Sequence, residues 1–398
     1  MYDSSKKGIR LTETQRLHWL QLIRCENVGP KTFYELIKQY GSAENALNAL
    51  PELIQKYPSK RIKMASRNDA LREIDIAQKL NIHFIGVGEP EYPPLLRQIE
   101  GAPPLIAVRG NHHILQQSSV AIVGSRNASS VGLRLTENFT HELGLAGFCI
   151  TSGLARGIDT TAHCAAIKTG TIAVMAGGVD WIYPFENKKL YHEILDENGA
   201  IISEMPIGFN PRAMDFPRRN RIIAGISVGL LVIEAAHKSG SLISARLAAE
   251  MGRIVFAIPG SPLDPRAAGT NKLIKEGAQL VTQGEDIIET LSPIIEKPAI
   301  QTNLFQNLPL GKECHKKSYD EYKIKIINEK KNEAIDENEL IDDKEKILQL
   351  LSHVPIDIET LSIDSQISLQ ELYVILMDLE LEGLIIRDIR GLVALTPK

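Results

Sequence analysis

The sequence predicts an α/β protein whose core is an open parallel β-sheet, with a helical domain before the core and a winged helix after it. Between residues 118 and 295, six short apolar strings alternate with helical stretches and are bounded by Gly, Ser or Pro. Continuous apolar strands separated by helices are typical of a parallel sheet covered on both faces. The chain has 398 residues, and at about 150 residues per domain this length predicts more than one domain.

The composition excludes some classes of protein. Hydrophobic residues make up 43% of the chain and charged residues 24%, as in globular proteins. The net charge of −4 means that any nucleic-acid surface must be local. The first ten residues are polar, and the longest apolar run, 222–233, is shorter than the roughly 18 residues of a spanning helix. We therefore expect a cytoplasmic protein without a signal peptide or a membrane span.

The four cysteines lie at no metal-binding or redox spacing. Cys25, Cys149 and Cys164 stand in apolar contexts, so we expect them to be buried free thiols. Free thiols are typical of a reducing compartment, in agreement with a cytoplasmic location. The sequence predicts neither a metal site nor a cofactor.

Residues 11–80 are predicted to be helical, because their apolar residues recur at helical spacing. Gly29 and Pro30 end one helix and begin the next. The segment 26–31 resembles half of a helix-hairpin-helix DNA motif, so this part of the chain is SAM-like or helix-hairpin-helix-like. A plain helical bundle and a DNA-contacting hairpin both remain open.

The C-terminal region changes character twice. Residues 312–346 are dense in charged residues and Asn, which indicates a solvated linker. Three helical segments and two apolar strings then predict a winged helix. Its third helix, 368–382, carries four acidic residues and no Lys or Arg, so contact with protein or a structural role is favoured over phosphate contact. The predicted domains are 1–82 (helical), 83–295 (α/β core), 296–342 (linker) and 343–398 (winged helix).

Ligands of an open parallel sheet bind beyond the carboxyl ends of its strands, so the turns that follow the strands carry the functional information. The first two turns of the core combine glycine, serine and arginine and lead into helices. A helix N-terminus offers unpaired N–H groups to an anion, and arginine can fork onto a phosphate. The candidate phosphate-binding residues are Gly124, Ser125 and Arg126 in the first turn, and Ser152, Gly153 and Arg156 in the second.

The core lacks the usual nucleotide-binding motifs, and the polar residues near these turns are expected to be structural. No GxGxxG fingerprint and no GxxxxGK[ST] phosphate loop occurs in the core. Asp159 is expected to cap the helix after the second turn, with ligand contact as the alternative. His163 falls four residues later, and we favour structural packing of this pair over acid–base catalysis. Asp180, which follows two glycines, is also expected to be structural.

The segment between the fourth and fifth strands is the most basic part of the core. Four arginines face a single aspartate between residues 212 and 221, with one aromatic ring among them. Cations that track phosphates and a ring that stacks on bases are the usual elements of a single-strand binding site. A charged helix start with its ring in the core is the alternative. The candidates are Arg212, Phe216, Arg218, Asn220 and Arg221.

Two more turns are predicted at the same edge. Ser239, Gly240 and Ser241 follow the fifth strand, and a polar turn at 269–272 ends in Lys272. A small nucleotide needs one or two phosphate-binding turns. Several turns in a row fit a chain of phosphates better.

These motifs together resemble the DNA-processing protein A (Smf) family. The resemblance is strong over residues 85–290 and weaker in both flanking domains. One difference is Ser244, where many members have Thr. The motifs that carry it are Gly-Ser-Arg at 124–126 and the segments at 152–159, 216–225, 239–243 and 255–260.

The resemblance implies an extended Rossmann-like core that binds single-stranded DNA without sequence preference and has no catalytic activity. It further implies protection of incoming strands and loading of the RecA recombinase, also on DNA coated by single-strand-binding protein, in natural transformation and recombination. Self-association as a homodimer is implied as well. The implied DNA-binding residues are Arg126, Ser152, Gly153, Arg212, Phe216, Arg218, Asn220, Arg221, Ser239, Gly240, Ser241 and Lys272.

Two other functions remain as alternatives. A related Rossmann-like group cleaves nucleoside monophosphates through a PGGxGT loop and a nearby Glu, whereas this chain has Ser239-Gly240-Ser241 in that region. A binder of a small phosphorylated ligand is the other alternative. Site size separates these functions from strand binding, because a strand needs several nucleotides and its binding depends steeply on salt.

Overall fold

A computed structural model gives the fold. It describes residues 10–56 and 62–296 and, further along, 343–344, 347–348, 351, 358–365, 367–381, 384–387 and 392–396. The chain divides into two compact units, Met1–Lys312 and Glu313–Lys398. Apart from residue 296, the expected linker lies outside the described residues. Within the described part, the chain has no helix with the length and apolar character needed to cross a membrane.

The first part of the larger unit is helical, as predicted. Thr12 and Gln15 form a capping box that fixes the start of the first helix, and Pro30 opens the second. Gly41 ends the second helix at a φ of 79°, a left-handed conformation that glycine adopts without strain. The four helices are α1 (Glu13–Ile23), α2 (Pro30–Tyr40), α3 (Ala43–Lys56) and α4 (Arg67–Lys79).

These helices share a hydrophobic core with the sheet that follows, so the expected boundary at residue 82 is not a break in packing. Arg16 donates to both carboxylate oxygens of the buried Glu89, at 2.7 and 2.8 Å. Arg24 pairs with Glu73 at 2.8 Å and also donates to the carbonyl of Glu204 at 3.1 Å. Paired charges of this kind satisfy polar groups that the shared core would otherwise leave unpaired.

The core is a nine-stranded sheet in the order β1-β2-β6-β5-β4-β3-β7-β8-β9. Strands β3 to β9 pair in parallel, as predicted, but β2 lies antiparallel to both β1 and β6. The sheet is therefore mixed at one edge. The strands are β1 (Ile82–Gly86), β2 (Leu105–Gly110), β3 (Ser119–Val123), β4 (Cys149–Ser152), β5 (Thr171–Val174), β6 (Ala200–Ser203), β7 (Gly229–Val232), β8 (Ile254–Ala257) and β9 (Gln279–Leu280).

Seven helices connect or flank these strands. The chain order reverses between β3 and β7, which makes their carboxyl ends the topological switch point of the sheet. The predicted polar turn at 269–272 is wrong, because these residues are helical. The helices are α5 (Ser130–Leu145), α6 (Ile158–Ala166), α7 (Lys188–Asp196), α8 (Asp215–Ile226), α9 (Gly240–Glu250), α10 (Ala268–Lys275) and α11 (Gly284–Glu296).

The smaller unit contains α12 (Ile358–Ser365), α13 (Leu369–Leu381) and an antiparallel ribbon of β10 (Ile385–Arg387) and β11 (Val393–Leu395). Leucines and isoleucines of α13 are buried in its core, whereas Glu371 and Glu380 are exposed. The first predicted helix, 343–352, lies only partly within the described residues. The side chains of Asp378 and Glu382 lie outside them.

Candidate nucleic-acid interface

The turn after β4 does not offer its hydrogen-bond donors to a ligand. The buried Ser152 hydroxyl donates to the carbonyl of Ile122 at 2.6 Å. The N–H groups of Gly153 and Ala155 donate to one carboxylate oxygen of Asp159, at 3.1 and 3.4 Å. The phosphate-binding role predicted for the Ser152 hydroxyl and the Gly153 N–H therefore needs correction. The expectation that Asp159 caps its own helix also needs correction, since this carboxylate holds the preceding turn.

His163 completes this buried polar network. Its Nε2 atom accepts the N–H of Leu154 at 3.3 Å, and its Nδ1 atom lies 2.7 Å from the Thr171 hydroxyl. Burial lowers the pKa of His163 to about 3, and the charge of Arg219 acts in the same direction. The imidazole is therefore neutral and enclosed. The arrangement supports the structural interpretation of the Asp159–His163 pair.

Arg219 is the buried arginine of the basic segment 212–221. The sequence analysis did not select it as a site residue. One of its guanidinium nitrogens donates to the carbonyls of Gly153 and Val174, at 2.5 and 2.6 Å. Burial lowers the pKa of Arg219 to about 10, opposed by the nearby Asp159 carboxylate. A Cβ atom on Gly153 would overlap this guanidinium. The glycine is therefore required for packing against Arg219, and no ligand contact is needed to explain it.

The N-terminus of α5 carries a carboxylate of the protein itself. Glu234, which follows β7, accepts the Ser129 N–H at 2.9 Å and also the Ser129 hydroxyl. The same hydroxyl accepts the N–H of Gly132 at 2.9 Å. Gly124 faces α6, because a Cβ atom there would lie 2.6 Å from Ile158. The Glu234 carboxylate therefore occupies the helix N-terminus that follows the first predicted anion-binding turn. Ser125 and Arg126 take no part in this contact.

The turn before α9 is more open. Ser239 accepts the N–H of Ser241 at 3.3 Å, and the two hydroxyls lie 2.6 Å apart. Gly240 is exposed, and a Cβ atom added to it would meet no neighbouring atom within 4 Å. The Gly240 carbonyl accepts the Asn220 amide at 3.4 Å. Lys272 is exposed on α10 and pairs with Glu276 at 3.5 Å.

The arginines of the basic segment have different surroundings. Arg218 pairs with Glu204 at 2.9 Å, and its side chain is 44% exposed. Arg221 binds the same carboxylate and the carbonyl of Gly101, and it is only 17% exposed, so its guanidinium is committed to the protein. Arg212 pairs with Asp215 at 3.2 Å, yet its side chain is 66% exposed. Arg212 and Arg218 therefore remain available at the surface, whereas Arg221 does not.

The structure brings Arg126 and Phe216 together from distant parts of the sequence. The Arg126 guanidinium carbon lies 5.6 Å from the centre of the Phe216 ring, within cation–π range. The Tyr183 ring meets Phe216 edge to face at 5.6 Å. Phe216 is half-buried, so it belongs neither wholly to the core nor wholly to solvent. We call this edge the rim; it consists of the exposed arginines and the half-buried ring between them, namely Arg126, Arg156, Arg212, Arg218 and Phe216.

Three further exposed rings near the rim were missed by the sequence analysis. They are Trp181, Tyr183 and Phe185, which alternate along the segment after β5. Alternating aromatic residues beyond a strand could have been recognised in the sequence. Cys164 also differs from expectation, because it is exposed whereas Cys25 and Cys149 are buried.

The fold and this edge define a Rossmann-like α/β protein that presents exposed arginines and aromatic rings beyond the carboxyl ends of its strands. Comparison with known proteins then gives the family. The chain belongs to the DNA recombination-mediator protein A family, whose model matches residues 83–292. A DprA-like N-terminal HHH domain matches residues 13–75, and a DprA winged helix domain matches residues 332–388.

Individual relatives agree with this assignment. The chain is 46% identical to the Smf protein of Escherichia coli over 213 residues, which are 53% of this chain and 57% of that protein. It is 36% identical to the DNA processing protein DprA of Bacillus subtilis over 64% of this chain and 90% of the relative. The X-ray structure of DNA processing protein A from Streptococcus pneumoniae aligns with a TM-score of 0.58 at 35% identity, covering 71% of this chain and 98% of that one.

Proposed function

We propose that the chain binds single-stranded DNA without sequence preference along the rim. The observation that carries this proposal is the placement of Arg126 over the Phe216 ring, 5.6 Å apart. Exposed arginines neutralise phosphates, and an accessible ring stacks on any base, because every base has a π-face. Backbone charge and stacking together give affinity without reading the sequence.

A strand fits this edge better than a mononucleotide does. An open α/β sheet places a ligand phosphate at the switch point, on the N–H groups of a helix. The Glu234 carboxylate occupies that position at α5, and Asp159 holds the donors of the next turn. Nucleotide hydrolysis or binding of a small phosphorylated ligand at these two turns would need an open anion site, and of the three Ser/Gly turns only the one before α9 is open. We therefore propose a binding protein and assign no catalytic residue.

The proposal extends to the use of the bound strand. The protein protects single-stranded DNA in the cytoplasm and loads the RecA recombinase onto it, including DNA coated by single-strand-binding protein, in homologous recombination and natural transformation. It acts as a homodimer. Support for the role in recombination comes from membership of a family described as DNA recombination mediators. The test of loading is the rate of RecA filament formation on coated single strands, which the protein is expected to increase.

Strand binding is tested by fluorescence anisotropy with a labelled strand of about 20 nucleotides, a length above the roughly 4–16 nucleotides that one OB fold covers. Affinity is measured at several salt concentrations for wild type and Arg126→Ala. Loss of one phosphate contact lowers the slope of log K against log salt by about 0.7. Lys168→Ala is the matched control, because Lys168 is 78% exposed and precedes β5, at the opposite edge of the sheet.

The expected result is tight, salt-dependent binding by wild type and Lys168→Ala and weaker binding with a smaller slope by Arg126→Ala. AMP and duplex DNA are added as competitors. A protein that binds AMP but not the strand would overturn the proposal, and so would equal slopes for the two variants.

A further inference from the structure

The segment 181–185 exposes three aromatic side chains in five residues. Trp181 is 38% exposed, Tyr183 49% and Phe185 72%. All other Phe, Tyr and Trp side chains whose exposure the structure describes are buried or half-buried. Several exposed aromatic side chains close together in one segment mark a candidate binding surface.

Hydrogen bonds fix both ends of the segment, so the exposure of its three rings follows from the fold. The Asp180 carboxylate accepts the N–H of Gly208 at 2.8 Å. At the other end, the buried Asn187 amide donates to the Leu154 carbonyl and the Thr160 hydroxyl, each at 2.9 Å. Both anchors tie the segment to the carboxyl edge of the sheet. The rings therefore stay presented to solvent instead of collapsing onto the surface.

The exposed rings continue directly from the rim. Tyr183 contacts Phe216 at a centre distance of 5.6 Å, and Phe216 lies under Arg126. At the far end, the Lys188 ammonium lies 5.5 Å from the centre of the Phe185 ring. The exposed Arg156 pairs with Glu186 within the same stretch. Rings and cations thus lie side by side from Arg126 to Lys188.

We propose that Trp181, Tyr183 and Phe185 form a second base-stacking platform, which extends the bound single strand beyond Phe216. The inference rests on the proposed function. Nucleotides are the occupant because each base needs a ring and each phosphate a cation, and both groups line this stretch. An apolar peptide would use the rings but would make no use of the cations at Lys188 and Arg156.

Tryptophan fluorescence gives a direct test. The chain has two tryptophans, and Trp19 is buried in α1 at 5% exposure, so it serves as an internal reference. Stacking of a base on Trp181 is expected to quench the emission of the full chain when a strand of about 20 nucleotides is added, since strands of this length cover the site. Trp181→Phe should abolish the quenching and largely retain affinity, because a ring remains.

Truncation of the platform tests its contribution to affinity. Phe185→Ala is expected to weaken binding of a strand of about 20 nucleotides by about 5- to 150-fold, the range for losing one stacked base. A strand of about 4 nucleotides, the smallest site size of OB-fold single-strand binders, should be affected much less. Leu145→Ala is the matched control, because Leu145 is also 72% exposed and ends α5 at the opposite edge of the sheet.

The two possible failures are distinguishable. If wild type does not bind the strand at all, the proposed function itself fails. If wild type binds the strand while Phe185→Ala binds like Leu145→Ala, or the Trp181 emission does not change, only the second platform is overturned. Phe185 is exposed, so its truncation should not prevent folding, which circular dichroism checks.

Discussion

Glu234 places its carboxylate at the N-terminus of α5, where it accepts the N–H of Ser129 at 2.9 Å. The carboxylate comes from the end of β7, the strand next to β3 across the switch point. An internal anion thus occupies the position that a ligand phosphate takes in nucleotide-binding sheets of this topology. Binding is consequently left to the open turn before α9 and to the arginines and rings outside the α5 position.

Removing this carboxylate should expose the anion site. Glu234→Ala is expected to lower the free energy of unfolding by about 1 kcal/mol, because the N-cap residue Ser129 loses the acceptor of its N–H and hydroxyl and the helix N-terminus loses a favourable charge. Urea denaturation measures the loss, and added sulfate should recover part of it in this variant more than in wild type. Glu250→Ala, which removes an exposed i,i+4 partner of Arg246, is the control. Equal behaviour of the two variants would contradict the capping role.

Two glycines at the carboxyl edge should respond oppositely to alanine. Gly153→Ala is expected to destabilise the fold by about 1–3 kcal/mol, because its Cβ would overlap the Arg219 guanidinium. Gly240→Ala should be neutral or stabilising by up to about 1 kcal/mol, because the position is open and begins a helix. Thermal unfolding of both variants checks the pair. Similar losses at both positions would contradict the packing argument.

Local patterns predict most of the strands and many of the helices, because apolar periodicity is a property of neighbouring residues. Arg126 and Phe216 are site candidates for the same reason, since each lies in a recognisable motif. The pairing of charges is not predictable in this way. Glu204 forms an ion pair with Arg221, and Asp159 accepts a hydrogen bond from the N–H of Gly153. No local sequence pattern specifies either contact. Such contacts decide which of several arginines or turns face solvent, and only the folded chain shows them.

The buried histidine should make stability depend on pH. The folded-state pKa of His163 is about 3, below its ordinary value of 6.5, chiefly because of burial. The unfolded chain therefore takes up a proton first as the pH falls below 6.5. Stability is fully present above that pH and is lost on acidification, at up to about 1.4 kcal/mol per pH unit. Burial raises the pKa of Asp159 above its ordinary value of 3.8, which acts in the opposite direction.

Urea denaturation between pH 5 and pH 7 measures this dependence. Wild type is expected to lose about 2 kcal/mol across the interval, whereas His163→Gln should show a flatter profile whatever its absolute stability. His237→Gln, at an exposed histidine, is the control and should match the wild-type slope. An unchanged slope in His163→Gln would contradict the assignment of the proton uptake to this residue.

The contributions of the ring and of the cation at the rim should be separable. Phe216→Leu keeps an apolar side chain beside Tyr183 but removes the aromatic face, so single-strand affinity should fall by about 5- to 150-fold. The slope of log K against log salt should stay unchanged, because that slope counts phosphate contacts. Arg126→Ala should lower both the affinity and the slope. Anisotropy titrations over a salt series measure both quantities, and a smaller slope in Phe216→Leu would show that the ring acts only by positioning Arg126.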